Sequence, residues 1–143
     1  MLEENLKAIR DKAEKHQAIL VAVSKTKSID EIRQVYDKGI RHFGENYADE
    51  LVVKQQQLPK DIHWHFIGHL QTNKAKRIAP FVYLIHSVDS LRLLNELEKQ
   101  GAKNNRIIKC LLQVHIAKEE SKSGIKPDGL MDFIHESLKT ERM

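Results

Sequence analysis

The chain has 143 residues, enough for one domain with a buried core, and is 41% hydrophobic and 31% charged. That balance excludes a disordered chain, and no apolar stretch reaches the roughly 20 residues of a membrane span. The net charge of +4 tolerates anionic ligands or nucleic acid without requiring either. The one cysteine, Cys110, excludes an intrachain disulfide and suits a reducing cytosol; it sits in an apolar run and reads as a small core residue. Met1 to Gln17 lacks the apolar centre of a secretory signal.

Helices and strands alternate along the chain. Leu2, Leu6, Ile9 and Ala13 fall at helical spacing and predict a leading amphipathic helix. Ala18 to Ser24 is a run of branched apolar residues without polar alternation, the pattern of a buried parallel strand. Ser28-Ile29-Asp30-Glu31 forms a capping box; Ile32, Val35 and Tyr36 continue that helix, and Gly39 suits its C′ position. A short strand is expected around Arg41 to Gly44, then a helix through Leu51 and Val53 that Asn46 can cap. His63 to Ile67 reads as a third strand, followed by a helix from Thr72 or Asn73 that stops before Pro80. Phe81 to Ser87 is the fourth strand. Asp89 or Ser90 caps the next helix, with Leu91, Leu94 and Leu97 on one face and Gly101 at its end. Ile107 to Ile116 is the fifth strand, and Leu130, Phe133, Ile134 and Leu138 mark a last helix with Pro127 near its first turn.

Five strands alternating with helices imply an α/β fold with a parallel sheet. Two solutions compete: a five-stranded doubly wound sheet, which needs nothing more, and a (β/α)₈ barrel, which typically needs about 200 residues or more. Counting alone favours the first.

In either fold the chemistry lies in the connections that follow the strands. Lys25 ends the first strand, where partial desolvation would turn an amine into a nucleophile toward carbonyls; a lysine merely snorkelling from a strand end is the plainer alternative. Asn46 offers a donor and an acceptor to a ligand, or simply caps a helix. Gly68 and the polar residues after it could shape an anion-accepting helix N-terminus, or an ordinary turn. His86, at the end of the fourth strand, could stack on a planar ligand or sit satisfied in the core. His63 and His65 share a strand face, but without a cysteine or carboxylate nearby a zinc site is not expected. Tyr36 and Tyr83 read as packing residues, and Tyr47 is the tyrosine placed to reach a ligand. There is no Gly-x-Gly-x-x-Gly, Walker or nucleophile-elbow pattern, and the basic residues lack the aromatic interleaving of a nucleic-acid module.

Taken together, the motifs resemble one known family. Ala22-Val23-Ser24-Lys25-Thr26-Lys27, His42-Phe43-Gly44-Glu45-Asn46-Tyr47, Trp64 through Lys74, His86-Ser87-Val88-Asp89 and Glu119-Glu120-Ser121-Lys122-Ser123-Gly124 occur in the order seen in the pyridoxal phosphate homeostasis proteins. The resemblance implies part of a (β/α)₈ barrel like the N-terminal domain of alanine racemase, with about five of its strands present. It implies that Lys25 holds pyridoxal 5′-phosphate as a Schiff base, with Asn46 and His86 lining the ring. It also implies a cytoplasmic carrier that hands the cofactor to apoenzymes rather than an enzyme. His115 stands where the family pattern leads one to expect asparagine. The phosphate-cupping segments of the family fall beyond Met143, so the chain reads as a truncated member whose open sheet edges invite self-association. A racemase-like enzyme, or a scaffold with no surviving site, are the alternatives.

Overall fold

A computed structural model describes residues 1–139. The charged C-terminal end expected to continue the last helix lies, from Thr140 onward, outside the described residues.

The leading helix is α1 (Leu2–Lys15). Then come β1 (Ala22–Val23), α2 (Ile29–Asp37), β2 (His42–Glu45), α3 (Ala48–Gln57) and β3 (His63–Phe66). They are followed by α4 (Thr72–Ile78), β4 (Leu84–Val88), α5 (Leu91–Lys103), β5 (Lys109–Leu112), a single 3₁₀ turn at Pro127–Gly129 and α6 (Leu130–Ser137). All neighbouring strands pair in parallel, in the order β1-β2-β3-β4-β5. A doubly wound sheet reverses its strand order at a switch point, whereas strands added always on the same side are the order of a barrel wall. The doubly wound arrangement that counting favoured is therefore corrected. The fold is α/β, five staves of a barrel, with β1 and β5 at the two edges of the sheet.

Local chemistry explains most element ends. Ser28 accepts from the Glu31 amide while the Glu31 carboxylate accepts from the Ser28 amide, closing the expected capping box on α2. Gly39 follows that helix with φ +92°, a conformation that costs a side-chain-bearing residue. Ser90 rather than Asp89 caps α5.

Other boundaries differ from expectation. The run Ala18–Ser24 yields a strand only at Ala22–Val23, because β1 has one neighbour and its ladder with β2 is two residues long. Asn46 caps nothing: α3 begins after Tyr47, and no side chain caps it. Phe81 and Val82 donate their amides back to Ile78, so β4 starts at Leu84. Gly101 does not end α5; it is buried inside a helix that continues to Lys103, where packing offsets its low helix propensity. The fifth strand is confined to Lys109–Leu112, and beyond it Val114 makes one further parallel bridge to Ile125.

Register and alternation assign the two sheet faces. Phe43 pairs with Trp64, Glu45 with Phe66, and Phe66 with Ile85, so these residues share one side. All but Glu45, a buried carboxylate, belong to the core cluster with Leu51, Ala75, Ile78, Leu94 and Leu97 of the helices. His42, Gly44, His63, His65, Leu84 and Lys109 pair on the opposite side, the inner face of the partial barrel. α1 lies against α2: Arg10 donates to the Lys38 carbonyl and Glu3 pairs with Lys38, but Ile9 of its apolar stripe stays exposed.

Candidate functional site

Lys25 lies two residues beyond β1, after Ser24, in an exposed turn at the carboxyl end of the strand. The desolvation expected there is not supplied by the described residues. Lys25 makes no hydrogen bond or ion pair with any described residue. The neighbouring Lys27 is engaged with Glu31 at 3.1 Å, and Lys74 with Asp49 at 3.0 Å.

The backbone on both sides of Lys25 is held by a buried charge cluster that the sequence did not announce. Lys54, on α3, is 4% exposed, and Glu45, at the end of β2, is fully buried. The Lys54 Nζ donates to the Ser24 carbonyl at 2.7 Å, to Glu45 Oε1 at 2.7 Å and to Glu50 Oε1 at 2.6 Å. All three ammonium protons are thereby used. The Ser24 hydroxyl donates to the same Glu45 oxygen at 2.5 Å. Glu50 Oε1 also accepts the Thr26 amide at 2.7 Å. Thr26 has φ +63°, an unfavourable conformation for a β-branched residue, so it persists because its surroundings hold it. Burial raises the Glu45 carboxyl above its ordinary value, and the hydrogen bonds from Lys54 and Ser24 pull it back down. Its second oxygen, Oε2, is buried without a partner. A Glu-Lys pair four residues apart on a helix normally marks a solvated face. Nothing in sequence indicated that Glu50 and Lys54 turn toward the ends of β1 and β2.

Asn46 follows β2 and lies against the loop after β3. A Cβ on Gly68 would come within 2.3 Å of the Asn46 carbonyl oxygen, so only glycine fits there. Asn46, Gly68 and His69 line an open cleft of about 740 Å³ at the carboxyl ends of the strands, closed on the far side by Gln113, His115 and the 116–123 loop. Tyr47, also exposed, borders a second opening beside it. The 116–123 loop is tied down by Gln113 Nε2 donating to the Ser123 carbonyl, and His115 Nε2 reaches the Ala117 carbonyl of its own loop. Gly124 has φ +147° and packs against the His115 backbone, where a Cβ would meet the amide nitrogen at 2.6 Å.

His86 lies within β4, half-buried, and does not line that cleft. Its Nε2 is 2.8 Å from Nδ1 of His65, whose Nε2 is 2.9 Å from Nδ1 of His42. Three imidazoles thus run hydrogen-bonded across the inner face, with the Tyr83 ring against His42, His63 and His65. Desolvation, and then the neighbouring imidazoles, lower His65 to about 4; desolvation also lowers His42 and His86. Tyr83 is a packing residue as expected, whereas the Tyr36 hydroxyl donates to Asp61 at 2.7 Å under the Arg41 guanidinium. Cys110 is partly buried, which raises its thiol.

The geometry therefore separates the three expected ligand residues. Lys25 and Asn46 both stand near strand ends, but Lys25 is not among the residues that line the cleft beside Asn46. His86 belongs to a side-chain chain on the sheet itself.

Comparison with known proteins shows what the chain is similar to. Residues 1–142 match the family described as alanine racemase, N-terminal domain. A pyridoxal phosphate homeostasis protein of Aquifex aeolicus is 39% identical over 123 residues, covering 85% of this chain and 54% of that protein. Structures of PipY from Synechococcus elongatus, 33% identical without PLP and 32% with PLP bound, superpose with TM-scores of 0.91 and 0.85 and cover 99% of this chain and 66% of theirs. Alanine racemase from Streptomyces coelicolor, at 17% identity and TM-score 0.70, covers 95% of this chain and 36% of its own and shares the fold. The chain spans about half the length of the curated relatives it matches.

Proposed function

The chain belongs to the alanine racemase N-terminal domain family, and from that premise we propose that it binds pyridoxal 5′-phosphate through Lys25 and serves in cofactor homeostasis. The observation that carries this reading is the uncommitted amine of Lys25 at the end of β1, beside a lysine, Lys54, whose protons are all engaged. Related proteins named for pyridoxal phosphate homeostasis, and a PipY structure with PLP bound, support it.

When bound, the cofactor would supply an aldehyde, a group open to attack by a primary amine such as that of Lys25. What this chain presents fits that end of the molecule: a lysine free of ion pairs, on a turn whose flanking amide and carbonyl are fixed. Asn46, with one donor and one acceptor group on the cleft wall, is the polar side chain placed to orient a ring. His86 is engaged with His65 on the sheet and is not among the residues that line the cleft. Lys27 is held only by an exposed ion pair to Glu31, so it is the neighbouring amine against which labelling of Lys25 is read.

A carrier needs reversible attachment and an open site; it does not need the second acid-base group that reprotonates the opposite face in a racemase. The exposed position of Lys25 suits release to an acceptor apoenzyme. A cytoplasmic location and self-association through the edges of β1 and β5 complete the reading. No described helix is long and apolar enough to cross a membrane.

Incubation with pyridoxal 5′-phosphate, borohydride reduction and peptide mass mapping test the attachment. The expected adduct is on Lys25 and is lost in Lys25→Ala. An adduct of undiminished yield in that variant overturns the assignment. Turnover of an amino acid by the same preparation would replace the carrier with a racemase-like enzyme.

A further inference from the structure

We propose that Glu50 and Lys54 are positioning residues for Lys25: together they clamp the turn Ser24-Lys25-Thr26 from both sides and aim its amine. The inference rests on the assignment of Lys25 as the attachment point.

Three observations carry it. The residues immediately before and after Lys25 are held by one cluster, through the Ser24 carbonyl on Lys54 and the Thr26 amide on Glu50. The same two side chains are joined to each other at 2.6 Å, so neither half of the clamp moves alone. Thr26 occupies a left-handed conformation that a threonine leaves unless it is restrained. Lys54 is further fixed by Glu45, itself buried on β2, so the clamp refers the turn to the sheet. Lys25 makes none of these contacts itself. The cluster therefore leaves the amine free while fixing the peptide units that carry it, which is how a rigid scaffold orients a reacting group.

The two side chains differ as targets. Lys54→Met would leave Glu45 buried beside an apolar side chain and endanger folding. Glu50 is half-buried at the surface, so Glu50→Ala removes the acceptor of the Thr26 amide at small cost to the core. Glu50→Gln keeps a carbonyl oxygen in its place.

The test uses the complete chain, pyridoxal 5′-phosphate and borohydride, and reads the ratio of reduced label on Lys25 to that on Lys27. Glu50→Ala is expected to lower this ratio about threefold or more, with Glu50→Gln recovering most of it. Hydrogen exchange of the Thr26 amide, followed without any ligand, is expected to accelerate about tenfold in Glu50→Ala and to remain slow in Glu50→Gln. A Lys25 to Lys27 ratio unchanged in Glu50→Ala, with the parent chain labelled on Lys25, overturns the clamp and leaves the attachment site standing. A parent chain without label on Lys25 removes the attachment site and the clamp with it, whatever the exchange rates.

Discussion

The two faces of the sheet are built from the same strands yet obey different rules. The helix-facing side carries Phe43, Trp64, Phe66 and Ile85, which are sealed under α2 to α5. The inner side carries Val23, 56% exposed, and Leu111, 49% exposed, around a hydrogen-bonded row of histidines. One side is stabilised by area removed from water; the other leaves Val23 and Leu111 open to solvent while His65 is buried, and is ordered by polar contacts between strands. In a parallel barrel both sides are packed, so the contrast shows which contacts this chain makes by itself.

Mutation on the sealed side should have the largest effect. Trp64→Ala is expected to cost about 3–5 kcal/mol in urea unfolding, because its ring is fully enclosed and packs toward Phe43. A loss below 1 kcal/mol would show that the sealed face is loosely packed and would erase the contrast.

Acidification should act on the inner side. His65 has its protonation lowered from about 6.5 to about 4, so between those values the unfolded chain holds more protons than the folded one. Stability from this group is therefore complete above pH 6.5 and is lost as the pH falls toward 4, by on the order of 3 kcal/mol. His42 and His86, also lowered, act in the same sense. Glu45, raised by burial, acts in the opposite one. The comparison of the parent with His65→Leu across that range cancels the Glu45 contribution. Parallel pH profiles in the two chains would show that the row of imidazoles carries no such linkage.

The smallest effect is expected at Leu111. Leu111→Ala should change stability by less than about 0.5 kcal/mol, since half of the side chain already meets solvent. A loss near that of Trp64→Ala would mean that the inner face is covered in solution, for example by a second copy.

Much of the fold was legible because its signals are local. The capping box at Ser28 and Glu31, the glycine after α2 and the start of α4 at Thr72 need only neighbouring residues to be understood. The strands were recognisable as apolar runs, but their lengths were not. A strand extends only as far as a partner extends, which is why seven candidate residues at β1 gave a ladder of two. The site was legible in part. The position of Lys25 after β1 follows from chain order alone, and Asn46 at the strand ends likewise. The clamp around Lys25 was not, because Glu45, Glu50 and Lys54 look like ordinary surface charges until α3 packs on β2. The hydrogen bond from His86 to His65 was not legible either, because nothing in the segment of His86 reveals His65 beside it.

Sequence alone determined the alternation of strands and helices, the capping box on α2 and the place of Lys25 after β1, since these depend on propensity and on spacing along the chain. Tertiary structure alone decided the sequential strand order, which histidines meet, and which lysine is left free. Those depend on register and on the face each helix turns inward, so the buried cluster that engages Lys54 and spares Lys25 exists only once β1, β2 and α3 are brought together.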